Sequence, residues 1–398
     1  MNILVISNAL PFPPHDGSRL ILFNLLKQLS SRHNIDLISF LDDPSSAKYK
    51  EKIAPYCNNL STVLTKQSYS VFNKVLYHLS LTPYIVTKRY SQRMAEQVKN
   101  EISQRKYELI HFDGFTMLPY GLAVRSIPKI AYVVDAVSLY FQRNFDRESR
   151  FLKKISYLIE FLRMRRYERK VYRQFDRCIV VSETDKAALQ KSCPDARFDV
   201  IPNGVDTSYF KPKEKEKFPT LLFSGNMDYP PNVRAVVWFV RNVLPKVKNV
   251  FPDVKLYIVG RNPSSELDFL KDDVRITVTG FVHDIRPFFD LASVYICPML
   301  SGTGIKTKLL EAMAMEKAIV ASSLSLEGIP GAKENGCLLA ANTGPEFSDG
   351  IIELLQNSES RGKLGQKARK FVVENYSWKA SADQLERIYA EAISEYGK

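Results

Sequence analysis

The chain has 398 residues, 45% of them apolar and 25% charged, with a formal net charge of +13. The length implies about two domains and a large core, and the ordinary globular composition excludes a low-complexity chain. No apolar run approaches the ~18–20 residues of a membrane span, and the positive charge favours an anionic partner (nucleic acid, an acidic membrane surface or a phosphate-bearing substrate) without separating the three.

The chain opens Met1-Asn2-Ile3-Leu4-Val5-Ile6-Ser7, which reads as a first strand and not as a signal peptide. Its five cysteines are scattered, odd in number and contain no C-x-x-C. A reduced, cytoplasmic protein is expected. Short β-branched runs then alternate with helix-length amphipathic stretches. In the first half they are 2–6, 35–40, 60–64, 109–112, 130–134 and 178–181. In the second they are 220–223, 255–259, 275–278, 294–297, 318–321 and 337–339. The pattern predicts βαβ units and two doubly wound, Rossmann-like parallel-sheet domains. The polar stretch Lys211–Lys217 reads as a linker, and the residues from Trp378 onward as a charged amphipathic helix. The expected boundaries are 1–207, 208–377 and a final helix over 378–398.

In such sheets ligands bind beyond the carboxyl ends of the strands, so the strand exits are where chemistry is sought. The first strand leads through a proline-stiffened loop to Gly17 and Ser18, where a helix begins. Their amides can approach a phosphate or a sugar, or simply start an ordinary helix. His111 follows at another exit, placed to hydrogen-bond a sugar hydroxyl or handle a proton; the alternative is a satisfied, partly buried histidine. Asp135 is a carboxylate at a third exit, either orienting an acceptor hydroxyl as a base or capping the next helix.

Residues 151–177 are basic and interleaved with apolar side chains, from Phe151 to Arg177. Such a helix suits an anionic membrane surface. It also suits a core-packed helix with a solvated face. Nucleic acid is a third option, but no nucleic-acid-binding module pattern accompanies it.

In the second half, Gly225 and Asn226 follow the first strand, and the glycine lets a ligand approach the backbone closely. Arg261 closes the next strand and has the chemistry of a phosphate contact. Main-chain groups of Val282 and His283 can read a base edge. The most informative segment is Leu300–Ile329, a glycine turn running into a helix and then a strand. Its turn (Thr303, Gly304, Ile305) offers amides for a phosphate. Lys306 and Lys308 oppose the helix dipole, a local misfit that an anion would relieve. Glu311 stands a turn later. The segment is not a P-loop, and no D-x-D, H-E-x-x-H or cysteine–histidine cluster is present, so no metal or other cofactor is expected.

Phe223–Val233, Tyr257–Pro263, Gly280–Pro287, Gly302–Ala314, Val200–Asp206 and Val180–Glu183 together resemble the family 4 glycosyltransferases of GT-B fold, most closely the bacterial sugar transferases of exopolysaccharide systems. The resemblance implies two Rossmann-like domains facing a cleft and metal-independent transfer of a sugar, with retention, from a nucleotide-diphosphate sugar to a hydroxyl acceptor. That acceptor would be a glycan or lipid-linked glycan, with the protein cytoplasmic or peripheral at the inner face of the cell membrane. Glu311 would hold the donor ribose, the 303–306 amides would face the sugar and diphosphate, and Val282 and His283 would lie by the base. Gly17 would approach the diphosphate, and His111 would take the place of the active-site histidine. The first glutamate of the family pair is Thr303 here, and the usual arginine and lysine after the first donor-domain strand are Asn226 and Asn232, so Lys306 or Lys308, with Arg261, would supply the charge. The competing readings are a sugar-nucleotide epimerase or phosphorylase on the same fold, or a nucleotide-sugar-binding subunit without catalysis.

Overall fold

The computed structural model describes all residues except 15–16, 66–80, 149, 214–216, 302–304 and 398. Its contacts divide the chain into two compact units, Met1–Pro202 with Ser381–Lys398, and Asn203–Ala380.

The first unit is built on strands β1 (Asn2–Ser7), β2 (Asn34–Leu41), β3 (Asn59–Leu64), β4 (Leu109–Asp113), β5 (Lys129–Val134), β6 (Arg177–Val180) and β7 (Phe198–Val200). They form one sheet in the order β3-β2-β1-β4-β5-β6-β7, paired in parallel throughout. Apart from Asn2, every residue of β1 is buried, as is all of β4. This is why these segments read as continuous apolar runs: helices cover both faces of a parallel sheet. The longer helices are α1 (Gly17–Leu29), α2 (Gln92–Gln104), α3 (Val137–Arg147), α4 (Phe151–Val171) and α5 (Glu183–Ser192).

The second unit holds β8 (Thr220–Ser224), β9 (Lys255–Val259), β10 (Ile276–Val278), β11 (Val294–Cys297), β12 (Ala318–Ala321) and β13 (Leu339–Ala340). Their order is β10-β9-β8-β11-β12-β13, again all parallel. Its longer helices are α6 (Pro230–Asn242), α7 (Thr307–Ala314), α8 (Gly344–Gln356) and α9 (Ser358–Asn375). Helix α8 starts at a complete capping box, with Glu346 N–H donating to Thr343 Oγ1 and Thr343 N–H donating to Glu346 Oε2.

The last helix, α10 (Trp378–Glu395), belongs from Ser381 onward to the first unit. Its apolar side, Ala382, Leu385, Ile388, Tyr389 and Ala392, is buried. Its acidic side pairs with basic residues of that unit: Arg32 with Asp383 and Glu386, Arg177 with Glu391 and Glu395. Chain order reverses direction between β1 and β4, and again between β8 and β11. At such a switch point the exit loops part to opposite faces and leave a crevice at the carboxyl edge.

Candidate donor and acceptor sites

In the second unit, the switch point between β8 and β11 is bridged by side chains. The β8 exit turns at Gly225, whose N–H donates to Val259 O at 2.9 Å. A Cβ on Gly225 would stand 2.7 Å from Asn232 Nδ2 and 2.8 Å from Lys308 Nζ. One on Gly260 would stand 1.7 Å from Gly225 O. The loops after β8 and β9 therefore touch backbone to backbone, which only glycine permits. They are latched further by Met227 N–H donating to Arg261 O at 2.9 Å and Asn262 Nδ2 to Asp228 Oδ2 at 2.5 Å.

From the other side of the crevice comes Lys308, in the first turn of α7. Its Nζ donates to Asn232 Oδ1 at 2.6 Å, and Asn232 Nδ2 in turn donates to Asn226 O at 2.8 Å. The ammonium also lies 4.5 Å from the centre of the Phe223 ring. Among the described residues no carboxylate forms an ion pair with it. Burial lowers its pKa to about 8. Glu311 sits one turn on, and burial raises its carboxyl to about 7, against the pull of Lys308. Burial thus brings the titration of both groups toward neutrality at the switch point, a pattern common at functional sites.

Other expected donor contacts are distributed along the same edge. Arg261 and His283 are exposed, and Val282 and Ile305 are partly exposed. His283 packs edge-on against the exposed Phe281 at 5.1 Å. Asp284 accepts the Arg286 N–H at 3.0 Å and pairs with its guanidinium, which holds the carboxyl at about 2. Thr303 and Gly304 lie outside the described residues. Lys306 stands at the N-cap position of α7, contributing no side-chain cap.

In the first unit the expectation for His111 is corrected. It lies two residues before the end of β4 and only 2% of it is exposed. It faces a small apolar cavity lined by Val5, Leu22, Leu26, Leu385 and Tyr389. His111 Nδ1 shares a 2.5 Å hydrogen bond with Tyr389 OH, and its ring stacks on Tyr132. Burial takes its pKa down to about 3, so it is a neutral core histidine. Strand alternation and the final helix are the reason: the side chain points beneath α10 and not out of the strand end. The polar group at that strand end is Asp113, which accepts from Ser7 Oγ at 3.2 Å across the first switch point.

Asp135 lies at the exit of β5. It follows Val134, a β-branched residue held at φ 69° beside a register shift in β5, a conformation that costs about 1–2 kcal/mol for such a residue. Asp135 is accessible at the strand exit, and the N-cap position of α3 is taken by Ala136, which has no side-chain cap. Asp185 Oδ1 accepts the Ala136 N–H at 2.9 Å and Glu168 Oε1 accepts the Ser138 N–H at 3.0 Å. Two buried carboxylates thus satisfy the helix start and leave Asp135 unused by it. The protein around it, and then the charge of Asp185, raise its carboxyl to about 6. Gly17 begins α1 and is exposed, with Ser18 partly so. Among the described residues no three His, Cys, Asp or Glu side chains group as a metal site.

Comparison with known proteins gives the family and the fold. The family described as Glycosyltransferase Family 4 matches residues 15–209, and that described as Glycosyl transferases group 1 matches residues 218–357. A protein of the cps region of Klebsiella pneumoniae is 27% identical over 95% of this chain and 97% of its own. The phosphatidyl-myo-inositol mannosyltransferase of Mycolicibacterium smegmatis is 31% identical over 50% of this chain and 52% of its own. Among solved structures, sucrose-phosphate synthase from Thermosynechococcus elongatus superposes with a TM-score of 0.69 at 16% identity, covering 99% of this chain and 100% of that one. Anabaena HepE in complex with UDP gives 0.67 at 14% identity, with 98% and 100% covered. The fold is GT-B, and the chain belongs to the family 4 glycosyltransferases.

Proposed function

We propose that this glycosyltransferase moves a sugar, with retention and without a metal, from a nucleotide-diphosphate sugar to a hydroxyl of a glycan or lipid-linked glycan. The observation that carries the reading is the ammonium of Lys308, held at the switch point of the second sheet by Asn232 and, among the described residues, in no ion pair with a carboxylate. An ammonium so placed is suited to the charge that grows on a leaving diphosphate. Glu311 is assigned to the donor ribose hydroxyls. Gly225, Asn226 and Ile305 present backbone close to the phosphates and sugar, and Lys306 and Arg261 add positive charge at the rim. Val282 and His283 are assigned to the base, and Gly17 and Ser18 to the diphosphate.

On the acceptor side, Asp135 replaces His111 as the group that orients or deprotonates the attacking hydroxyl. The leaving phosphate oxygen can take that proton on the same face of the sugar, which gives retention. HepE was solved with UDP and with UDP-glucose, which supports a nucleotide-sugar donor here. The cps-region and phosphatidylinositol-mannosyl relatives support a polysaccharide or lipid-linked acceptor. With a lipid-linked acceptor the protein works peripherally on the inner membrane face.

The test is a panel of nucleotide-diphosphate sugars incubated with polyprenyl- and glycan-type acceptors in the presence of EDTA, with the product anomer read by NMR. Acceptor-dependent nucleotide release with unchanged anomeric configuration is expected. Inversion, or activity abolished by EDTA and restored by a divalent cation, would overturn the mechanism. Free sugar phosphate or an epimerised donor would point instead to the phosphorylase or epimerase reaction.

A further inference from the structure

Helix α4 is packed over only part of its length. Its buried residues, Met164, Tyr167, Glu168 and Val171, all lie in the second half. The first half contributes no buried side chain. Instead it presents Phe151, Leu152, Ile155, Ile159 and Leu162 to solvent, with Phe151 75% and Leu152 80% exposed. At about 100° per residue these five fall within roughly one quarter of the helix circumference. The arc lies on the side opposite Met164 and Val171.

The same arc continues beyond Leu162 as Arg166, Arg169 and Lys170, all exposed. Among the described residues none of these three has a carboxylate within ion-pair distance. The nearby Glu160 is already paired with Arg163 at 3.0 Å. One outward ridge is therefore apolar for three turns and basic for the next two. Solvated alone, five large apolar side chains in a row are an unfavourable surface. A protein partner would need both an apolar groove and acidic groups in register. A bilayer containing anionic lipid offers acyl chains and negative headgroups together, and the net charge of +13 acts in the same direction.

We infer that this ridge docks the protein on an anionic lipid surface, with Phe151, Leu152, Ile155, Ile159 and Leu162 entering the interface and Arg166, Arg169 and Lys170 lying against the headgroups. The inference stands on the surface of α4 and is independent of the assignment of the sugar-donor site.

The experiment is co-sedimentation of the full chain with vesicles of phosphatidylcholine alone and of phosphatidylcholine mixed with phosphatidylglycerol, over a salt series. Wild type should sediment with the mixed vesicles, and less so as salt rises. The variant R166Q/R169Q/K170Q should lose about a hundredfold in partitioning, at about fivefold for each charge near the surface. The variant F151S/L152S/I159S should lose at least tenfold while keeping its salt dependence. All substituted positions are exposed, so unchanged thermal melts are expected and serve as the folding control. Equal sedimentation of wild type and both variants would overturn the inference. So would failure of the wild type to bind the mixed vesicles, or a wild-type dimer that the serine variant splits without any change in vesicle binding. Donor binding by these variants should be unchanged, so failure here and failure of the donor assignment read out separately.

Discussion

Lys308 reaches across the switch point of the second sheet to place its Nζ 2.6 Å from Oδ1 of Asn232. The contact joins the helix after β11 to the first turn of the helix after β8, and it does so with a neutral oxygen where a carboxylate would have satisfied the charge. This is the contact on which the proposed donor-diphosphate role of Lys308 rests.

The first consequence is a pH dependence of donor binding. Burial lowers the Lys308 pKa to about 8, so the free protein loses the charge as pH rises through that value. Affinity for a nucleoside diphosphate should fall above pH 8, by up to about tenfold per pH unit. Lys308→Arg, which keeps its charge, should bind with a flat profile over the same range. The check is isothermal titration calorimetry from pH 7 to 9.5. Folding stability carries the opposite sign. The unfolded lysine titrates near 10.4 and holds its proton between the two values, so the destabilisation due to this buried charge is relieved as pH rises from 8 to 10.

Asp135 predicts a second pH effect, on turnover. Its carboxyl is raised to about 6, so kcat at saturating donor should fall as pH drops through 6. Asp135→Asn should lower kcat by about 10²–10⁴, the usual range for loss of a positioned acid–base group, and remove the acidic limb. Steady-state kinetics from pH 5 to 8 check this.

The buried pair of His111 and Tyr389 makes a stability prediction. A histidine held near pKa 3 when folded and near 6.5 when unfolded favours the folded state fully above pH 6.5. That stability is lost as pH falls from 6.5 toward 3, with a slope of at most about 1.4 kcal/mol per pH unit. Tyr389→Phe should cost about 1–3 kcal/mol at pH 7 by stranding the imidazole nitrogen. Urea denaturation of wild type, Tyr389→Phe and His111→Phe at pH 5 and 7 measures both effects, and His111→Phe should flatten the acid slope.

Gly260→Ala tests the contact between the β8 and β9 exits. A methyl group 1.7 Å from Gly225 O cannot be accommodated without moving one loop, so a loss of at least about 2 kcal/mol is expected. Nucleoside diphosphate binding should weaken with it. Gly362→Ala is the control, since a Cβ there meets nothing within 4 Å.

Much of this was legible in the residues themselves. Parallel strands buried on both faces leave continuous apolar runs, so Asn2–Ser7, Lys255–Val259 and Val294–Cys297 stand out by composition alone. Short Phe198–Val200 does not, because only Phe198 of its three residues is buried. In the segment proposed for the donor, Lys306 and Lys308 contradict the helix dipole, a conflict visible in the sequence alone. His111 was misleading for a different reason. A histidine near a strand end looks catalytic until the helix that covers it is placed, and that helix lies 278 residues away in the chain. Asn232 entered the sequence reading only as a departure from the family pattern, and only the fold brings Lys308 to it. The freedom of Asp135 depends on Asp185 and Glu168, which take over the helix start from elsewhere in the sequence.

The central claim is that the Lys308 ammonium is the protein's grip on the donor diphosphate. It is tested most directly by calorimetric titration of nucleoside diphosphates into wild type, Lys308→Met and Asp135→Asn at pH 7. The account predicts saturable binding of at least one nucleoside diphosphate to wild type, the same affinity in Asp135→Asn, and a loss of about 10- to 100-fold in Lys308→Met, the worth of a charge-assisted contact. Equal affinity in Lys308→Met and wild type would contradict it.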